Sequence, residues 1–488
     1  EVFKNINCKN LPSLRRNIVY QFLYELLIVF IPLFTIPYVS RVLGAENIGL
    51  FSYTYAVANY FVLFANLGIK NYGSRTIAMV RNNKEELNRN FSEILSIHII
   101  FSIIVIFVYL VLLFFFVEDN LVIFLIQSIY VFAAVFDINW FFFGIEKFKL
   151  TVGRNTLVKI LSVFLVLVFV KTQTDLWIYA LILALSVFVG QSVVWFALKQ
   201  YVSWRRPSWA NMKQHIRPLF VLFLPILALS LYKYMDKIML GSISSNVQVG
   251  FYENAEKIIN VPMSLIMAFG VVLMPRIANM VTSKDKGEVF KLIDMSMEAV
   301  MLLAIAISFG LAGISFVLAP IFFGYEFEEC GILIMGLAVT VPFMAFANVI
   351  RTQYLIPYKE DKIFVVSLFL GAAVNLIVNI ILIPYMAARG AVIGTIFAEI
   401  IVCIYQSYFV RKKIFIKKYL LNTIPPILIG IVMFVFVFQI GNVMNINIVT
   451  LILQLLVGMF IYAVGVFLLM LKSRTRLMVL LRKFVVRY

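Results

Sequence analysis

The chain has 488 residues, of which 63% are hydrophobic and only 14% are charged, and its formal net charge is +18. So few charged residues cannot cover the surface of a water-soluble protein of this size, which excludes that class. The apolar runs extend to about 20 residues, the length of a bilayer-spanning helix, whereas a membrane barrel needs alternating segments of about ten residues. We therefore predict an all-α integral membrane protein.

The apolar runs predict about fourteen transmembrane helices. In chain order they lie near residues 17–39, 47–68, 91–116, 121–143, 153–171, 176–198, 217–240, 250–274, 292–316, 330–350, 361–384, 389–410, 420–440 and 447–471. Of the 42 Lys and Arg residues, 35 then fall on one side of the membrane, three on the other and four inside spans. Because Lys and Arg favour the cytoplasmic side of short loops, both termini are predicted to be cytoplasmic. The basic charge is thus a topology signal and does not indicate nucleic-acid binding.

An internal repeat relates the two halves of the chain. Gly49 and Arg75 recur as Gly250 and Arg276, each 201 residues later. Six spans separate the copies, so the halves have the same orientation, and such parallel repeats imply two bundles with a binding site between them. Chance similarity among apolar helices is the alternative interpretation.

These observations predict six segments along the chain. They are a cytoplasmic N-tail (1–16), an N-lobe of six spans (17–200), a cytoplasmic loop between the lobes (201–216), a C-lobe of six spans (217–412), two further spans (413–471) and a basic cytoplasmic C-tail (472–488). No loop is long enough to hold a soluble catalytic domain, so the function is expected to reside in the membrane.

Eleven ionisable residues fall inside the predicted spans, where a charged side chain facing lipid is costly. They are Glu25, Asp137, Lys159, Lys233, Asp236, Lys237, Glu253, Glu256, Lys257, Glu298 and Glu399. Six of the eleven, from Lys233 to Lys257, cluster in spans seven and eight, several at the i, i+3 or i, i+4 spacing that places side chains on one helix face. Two interpretations stay open: an ion-pair network that joins the two helices, or cationic side chains that bind an acidic substrate.

The remaining polar residues give three further expectations. Glu25 and Glu399 lie near mid-span without an obvious local partner, which makes them candidates for coupling to Na⁺ or H⁺; a protonated carboxyl bonded to a neighbouring helix is the alternative. Arg41 follows the first span on the outer side, either as a gating or phosphate-binding residue or as an interfacial anchor. Three cysteines and two histidines without metal-site spacing predict neither a bound metal nor a cofactor.

Three segments resemble one protein family. They are IPYVSRVLG (36–44) with GLF (49–51), then DINWFFFGIE (137–146), and finally DKIMLG (236–241) with VGFYENAEKI (249–258) and MPR (274–276). In this order they are similar to the Wzx-type O-antigen and capsule repeat-unit flippases of the MOP (multidrug/oligosaccharidyl-lipid/polysaccharide) exporter superfamily. The resemblance covers spans one to twelve.

The resemblance implies two parallel six-helix lobes, as in the MOP and MATE transporters, plus two extra C-terminal helices. It implies a monomeric flippase in the bacterial cytoplasmic membrane that carries an undecaprenyl-pyrophosphate-linked oligosaccharide to the outer leaflet by alternating access, alongside a polymerase of the same pathway. Such flippases place a basic residue in the cavity, which favours Lys257 as the main substrate contact with Lys233 or Lys237 beside it; Arg41, Asp236 and Glu253 complete the candidate set. A groove beside the last two helices is expected for the lipid tail.

Two other functions are compatible with a chain of many spans. A MATE-like drug or cation antiporter would share the fold and the repeat, although the motifs favour the flippase. A membrane-embedded polysaccharide polymerase would need a large outer loop for catalytic groups, and the predicted outer loops are short. The sequence therefore indicates a transporter rather than an enzyme.

Overall fold

The computed structural model describes the backbone of residues 11–282 and 286–472, and the side chains of residues 34–281 and 287–471 except 148, 149 and 232. Within these residues the chain is helical and contains no β-strand. The helices are α1 (Leu11–Asn66), α2 (Ile69–Val80), α3 (Lys84–Phe116), α4 (Leu121–Val135), α5 (Asn139–Gly144), α6 (Phe148–Phe169), α7 (Leu176–Leu198), α8 (Trp209–Ile243), α9 (Asn246–Thr282), α10 (Lys286–Phe323), α11 (Cys330–Ala338), α12 (Thr340–Ile350), α13 (Asp361–Val410), α14 (Ile416–Val443) and α15 (Ile448–Lys472). Short 3₁₀ turns lie at Gln173–Asp175 and Tyr325–Phe327, and a π-helical turn at Arg351–Leu355 follows α12.

Twelve helical stretches in the described part of the chain are long and apolar enough to cross a membrane. Two helices are each long enough for two crossings, since one crossing takes about 20 residues: α1 has 56 residues and α13 has 50. The helical backbone is interrupted at Gly44 in α1, where φ is 75°, and at Ala387 in α13, where φ is 47°. Counting each of these helices as two segments gives fourteen, and the predicted all-α membrane fold is confirmed.

The two halves of α13 run side by side in opposite directions. Gln406 donates a hydrogen bond from Nε2 to Ser367 Oγ over 2.9 Å, although 39 residues separate them in sequence. A Cβ atom on Gly394 would also overlap the side chain of Asn379. The reversal at Ala387 therefore turns this stretch into a helical hairpin.

The structure divides into two compact units, with boundaries at Leu43/Gly44, Tyr53/Thr54 and Ser230/Leu231. We call them the N-unit, which contains 54–230 and the described residues before Gly44, and the C-unit, which contains 44–53 and the described residues from Leu231 onward. The last boundary lies inside α8 and not in the loop 201–216. The predicted lobe limits remain a prediction.

The N-unit fixes the connection 201–216 onto α3. Ser203 donates its backbone N–H to Asn88 Oδ1 over 3.0 Å, and Arg205 donates its own to Ser92 Oγ over 2.9 Å. Asn88 and Ser92 are both buried and lie one helical turn apart on α3. The segment predicted as an inter-lobe loop is therefore held by a polar stripe on α3.

A buried histidine completes this attachment. His215, near the start of α8, lies 2.9 Å from Glu93 Oε2 through Nε2, and its Nδ1 lies 2.6 Å from the hydroxyl of Tyr72. His215 and Glu93 are almost fully buried. Polar groups in such a position are stabilising only while they keep their partners.

Replacing His215 with leucine is expected to lower the free energy of unfolding by about 1–3 kcal/mol, because Glu93 would be left buried without its partner. The matched control is Arg205→Gln, which breaks the exposed ion pair with Glu85 and should cost only about 0–1 kcal/mol. Unfolding of the purified protein in detergent would measure both. Equal losses of unfolding free energy in the two variants would show that the buried contact stabilises the protein no more than the exposed ion pair does.

In the C-unit, the two copies of the internal repeat pack against each other. A Cβ atom on Gly49 would overlap the backbone carbonyl of Asn246, and a Cβ atom on Gly250 would overlap that of Ala45. Gly250 and Asn246 lie 201 residues after Gly49 and Ala45, respectively, so each contact is the repeat-related copy of the other. This reciprocal packing favours a true repeat over chance similarity, and it explains why both positions are glycine.

Candidate functional site

A short turn brings the charged residues of α8 and α9 together. Only two residues separate Ile243, where α8 ends, from Asn246, where α9 begins. Helices joined by so short a connection pack as antiparallel neighbours. Lys237 lies six residues before the end of α8 and Glu253 seven residues after the start of α9, so they reach the same level of the hairpin.

Four of the candidate residues form one ion-pair network. Lys237 Nζ lies 2.5 Å from Glu253 Oε2 and 2.8 Å from Glu256 Oε2. Lys257 Nζ lies 3.1 Å from Glu253 Oε1. The exposed fraction of the side chains rises from 9% for Lys237 through 14% for Glu253 and 24% for Glu256 to 32% for Lys257. The network thus runs from Glu256 through Lys237 and Glu253 to Lys257, with a buried cation inside it and an accessible cation at one end.

Asp236 belongs to a different set of contacts. Its Oδ2 accepts hydrogen bonds from the Tyr252 hydroxyl over 2.5 Å and from Thr395 Oγ1 over 3.0 Å, and its Oδ1 accepts one from Asn379 Nδ2 over 2.5 Å. All three partners are neutral, and Asp236 is buried. The cost of burying a carboxyl group is offset when hydrogen-bond donors surround it, as these three do. The geometry therefore separates Asp236 from the lysines beside it in sequence.

The structure describes the side chains of three of the other predicted residues, Lys233, Arg41 and Glu399. Lys233 is exposed, and its Nζ lies 5.3 Å from the ring centre of Tyr234. Arg41 is also exposed. Glu399 is buried and interacts electrostatically with Arg351 of the π-helical turn. The side chain of Glu25 lies outside the described part of the chain.

The structure also has an apolar groove of about 940 Å³ between α10, α14 and α15, with Pro262 of α9 at its wall. Its lining is almost entirely aliphatic or aromatic. Two polar residues in the lining are tied to the backbone: Gln454 donates to the Val437 carbonyl over 2.9 Å, and the Tyr462 hydroxyl donates to the Leu302 carbonyl over 2.7 Å. The groove therefore presents a mostly hydrocarbon surface beside the last two helices.

Sequence reasoning missed the partners that come from distant helices. Nothing near Asp236 in sequence indicates Asn379 or Thr395, which lie in the two halves of α13. Arg351 was assigned to a cytoplasmic loop, so its interaction with Glu399 was not foreseen. The only local signal was the i, i+4 spacing of Glu253 and Lys257, which the structure shows as an ion pair.

Comparison with known proteins identifies related sequences and a similar solved structure. Over 408 residues the chain is 24% identical to a protein of Shigella dysenteriae named as an O-antigen transporter, a match that covers 80% of this chain and 99% of the relative. Over 408 residues it is 26% identical to a protein of Escherichia coli K12 with the same name, a match that covers 82% of this chain and 97% of the relative. The solved structure of the lipid II flippase MurJ in an inward closed conformation superposes with a TM-score of 0.71 at 16% identity, covering 92% of this chain and 97% of that one.

The family model described as "Polysaccharide biosynthesis protein" matches residues 14–281, more than half of the chain. The likeness to MurJ shows the fold, an all-α membrane fold. The chain therefore belongs to the polysaccharide biosynthesis protein family, and its resemblance to the Wzx-type flippases of the MOP superfamily is confirmed.

Proposed function

We propose that this protein is a flippase for lipid-linked oligosaccharides. It carries undecaprenyl-pyrophosphate-linked repeat units from the inner to the outer leaflet of the bacterial cytoplasmic membrane by alternating access, for O-antigen, capsule or another surface polysaccharide. The family match supports this function, as do two relatives named O-antigen transporters that align over nearly their whole length. Both termini face the cytoplasm, and the flippase works as a monomer that hands its product to a polymerase of the same pathway.

The charge network on α8 and α9 is the observation that carries the proposal. Ionised groups within membrane spans are costly and mark the pathways of charged substrates. Lys257 is the most accessible member and Lys237 the most buried, so a phosphate group reaches Lys257 first. Charge-assisted hydrogen bonds to phosphate are strong in a poorly solvated site. Lys233 and Arg41, both exposed, complete the set of cations available to the substrate.

The apolar groove beside α14 and α15 supports the same substrate class. A polyprenyl tail is pure hydrocarbon and needs a surface without unsatisfied polar groups. The groove offers a mostly apolar surface: Gln454 and Tyr462 donate their hydrogen bonds to backbone carbonyls, and Gln454 Oε1 is left as a buried acceptor without a partner among the described residues. A substrate with an anionic head and a long hydrocarbon tail therefore has a matching feature for each part.

Reconstitution into liposomes tests this proposal. A fluorescent lipid-linked oligosaccharide becomes protected from an external quencher when the protein moves it between leaflets. We expect Lys257→Ala to slow this movement about tenfold or more, the effect of losing one charge-assisted contact. The matched control is Lys291→Ala, a lysine that also pairs with a nearby glutamate, Glu288, but is half exposed. Equal transport rates for the two variants would show that Lys257 has a structural role and does not contact the substrate.

We expect ion coupling to involve Asp236 in addition to the sequence candidates Glu25 and Glu399. Asp236→Asn keeps the shape of the side chain but removes its negative charge, so transport should lose its dependence on an applied Na⁺ or H⁺ gradient. The same liposome assay, run with and without each gradient, measures this loss. Glu399→Gln serves as the comparison, because Glu399 faces a cation, Arg351. Unchanged gradient dependence in Asp236→Asn would exclude Asp236 from coupling.

A further inference from the structure

Glu253 holds two lysines at once. One carboxylate oxygen contacts Lys237 and the other contacts Lys257. Among the ion pairs of the described residues, Glu253 is the acidic side chain that bridges two lysines. Each oxygen thus faces one ammonium group, and the oxygen at Lys257 occupies the position that a phosphate oxygen would take beside that lysine.

We propose that Glu253 is an internal stand-in for the phosphate of the substrate, an inference that rests on the proposed function. In the empty protein it occupies the two lysines. When an anionic head group arrives, it takes the place of Glu253 at Lys257, and Glu253 returns when the head group leaves.

The burial gradient makes the exchange feasible at one end of the network only. Lys237 is buried and keeps a second partner, Glu256, at 2.8 Å, so it stays paired when Glu253 moves. Lys257 has a third of its side chain exposed and, among the recorded ion pairs, contacts only Glu253. A lysine ammonium on its flexible stem can turn from one anion to another.

The exchange also solves an energetic problem of transport. Two lysines left unpaired in a membrane protein would be costly, and they would bind phosphate so tightly that release becomes slow. With Glu253 and Glu256 present, the four formal charges of the network cancel. The substrate therefore replaces an existing ion pair instead of meeting bare cations, and its affinity stays low enough for turnover.

Binding of polyprenyl pyrophosphate to the protein in nanodiscs tests this inference. Glu253→Gln should bind about tenfold more tightly than wild type, because one charge-assisted contact no longer has to be broken, and should flip its substrate more slowly. Glu256→Gln is the matched control: it removes the same charge one turn away but leaves the pair between Glu253 and Lys257 intact. It should change the affinity much less.

Three outcomes would be decisive. Equal gains in affinity for polyprenyl pyrophosphate in both glutamine variants would mean that the change in net charge alone tightens binding. This result would overturn the inference. No gain in Glu253→Gln, while wild type binds polyprenyl pyrophosphate more tightly than polyprenol, would overturn it and leave the proposed function intact. Wild type that does not distinguish the two lipids would contradict the proposed function itself.

A second variant tests the inference if Glu253→Gln fails to fold. Glu253→Asp keeps the charge but shortens the side chain by one methylene, so it cannot reach both lysines. We expect it to keep its pair with buried Lys237, to unfold like wild type, and to bind polyprenyl pyrophosphate more tightly than wild type. A folded Glu253→Asp protein with wild-type affinity would overturn the inference.

Discussion

Replacing Lys237 with methionine is expected to lower the free energy of unfolding by about 3–5 kcal/mol, because removing one partner of a buried ion pair leaves uncompensated charge. Lys237 is the buried cation of the network, and it pairs with both Glu253 and Glu256. Without it, Glu256 loses the lysine it pairs with, and Glu253 keeps only Lys257. Unfolding in mixed detergent micelles would measure the loss, and transport should be lost with it.

The control for this prediction lies one turn earlier on the same helix. Lys233 is exposed, so Lys233→Met should change stability by about 0.5 kcal/mol or less. If the Lys237→Met protein proved as stable as Lys233→Met, the network would not be the tie between α8 and α9 that the geometry indicates.

Replacing Gly250 with valine is expected to destabilise the C-unit by about 1–3 kcal/mol or more, the usual cost of forcing extra carbon atoms into a packed contact. The new side chain would overlap the backbone carbonyl of Ala45, and a backbone atom cannot turn aside as a side chain can. Gly49→Val should behave in the same way, because its repeat-related contact is with the carbonyl of Asn246.

Gly153 provides the matched control, since no atom lies within 4 Å of the position its Cβ would take. Gly153→Val should therefore unfold close to wild type. A Gly250→Val protein as stable as Gly153→Val would contradict the close packing of the two repeat copies. If only one of the two repeat glycines were sensitive, their contacts would not be equivalent.

The all-helical fold could be predicted because its signals are local. Apolar runs locate the spans, and the distribution of lysine and arginine keeps the count at fourteen even where α1 and α13 each hold two segments. The repeat of Gly49 as Gly250 was visible at a fixed spacing, but its physical reason, contact with Asn246 and Ala45, became clear only in three dimensions.

The candidate site could be predicted only in part. The i, i+4 spacing of Glu253 and Lys257 and the short turn between α8 and α9 place the ion pairs together. Two of the three partners of Asp236 come from α13, more than 140 residues away, where a threonine and an asparagine in apolar helices carry no distinctive signal. Spacing also suggested that Asp236 pairs with neighbouring lysines, whereas its recorded hydrogen-bond partners are neutral.

The contact between His215 and Glu93 was missed for a related reason. Each residue alone is an isolated polar group near the end of a predicted span, and 122 residues separate them. Only the folding of the connection 201–216 along α3 brings them together. Long-range polar contacts of this kind depend on the packing of whole helices, which a single sequence does not specify.

The measurement that tests the central claim most directly compares substrates on the wild-type protein in liposomes. One probe is a fluorescent oligosaccharide linked to a polyprenyl pyrophosphate, and the other is a fluorescent organic cation. Our account predicts protein-dependent movement of the lipid-linked oligosaccharide between leaflets and no transport of the cation. Transport of the cation without movement of the lipid-linked oligosaccharide would contradict the account and would make the protein a MATE-like antiporter.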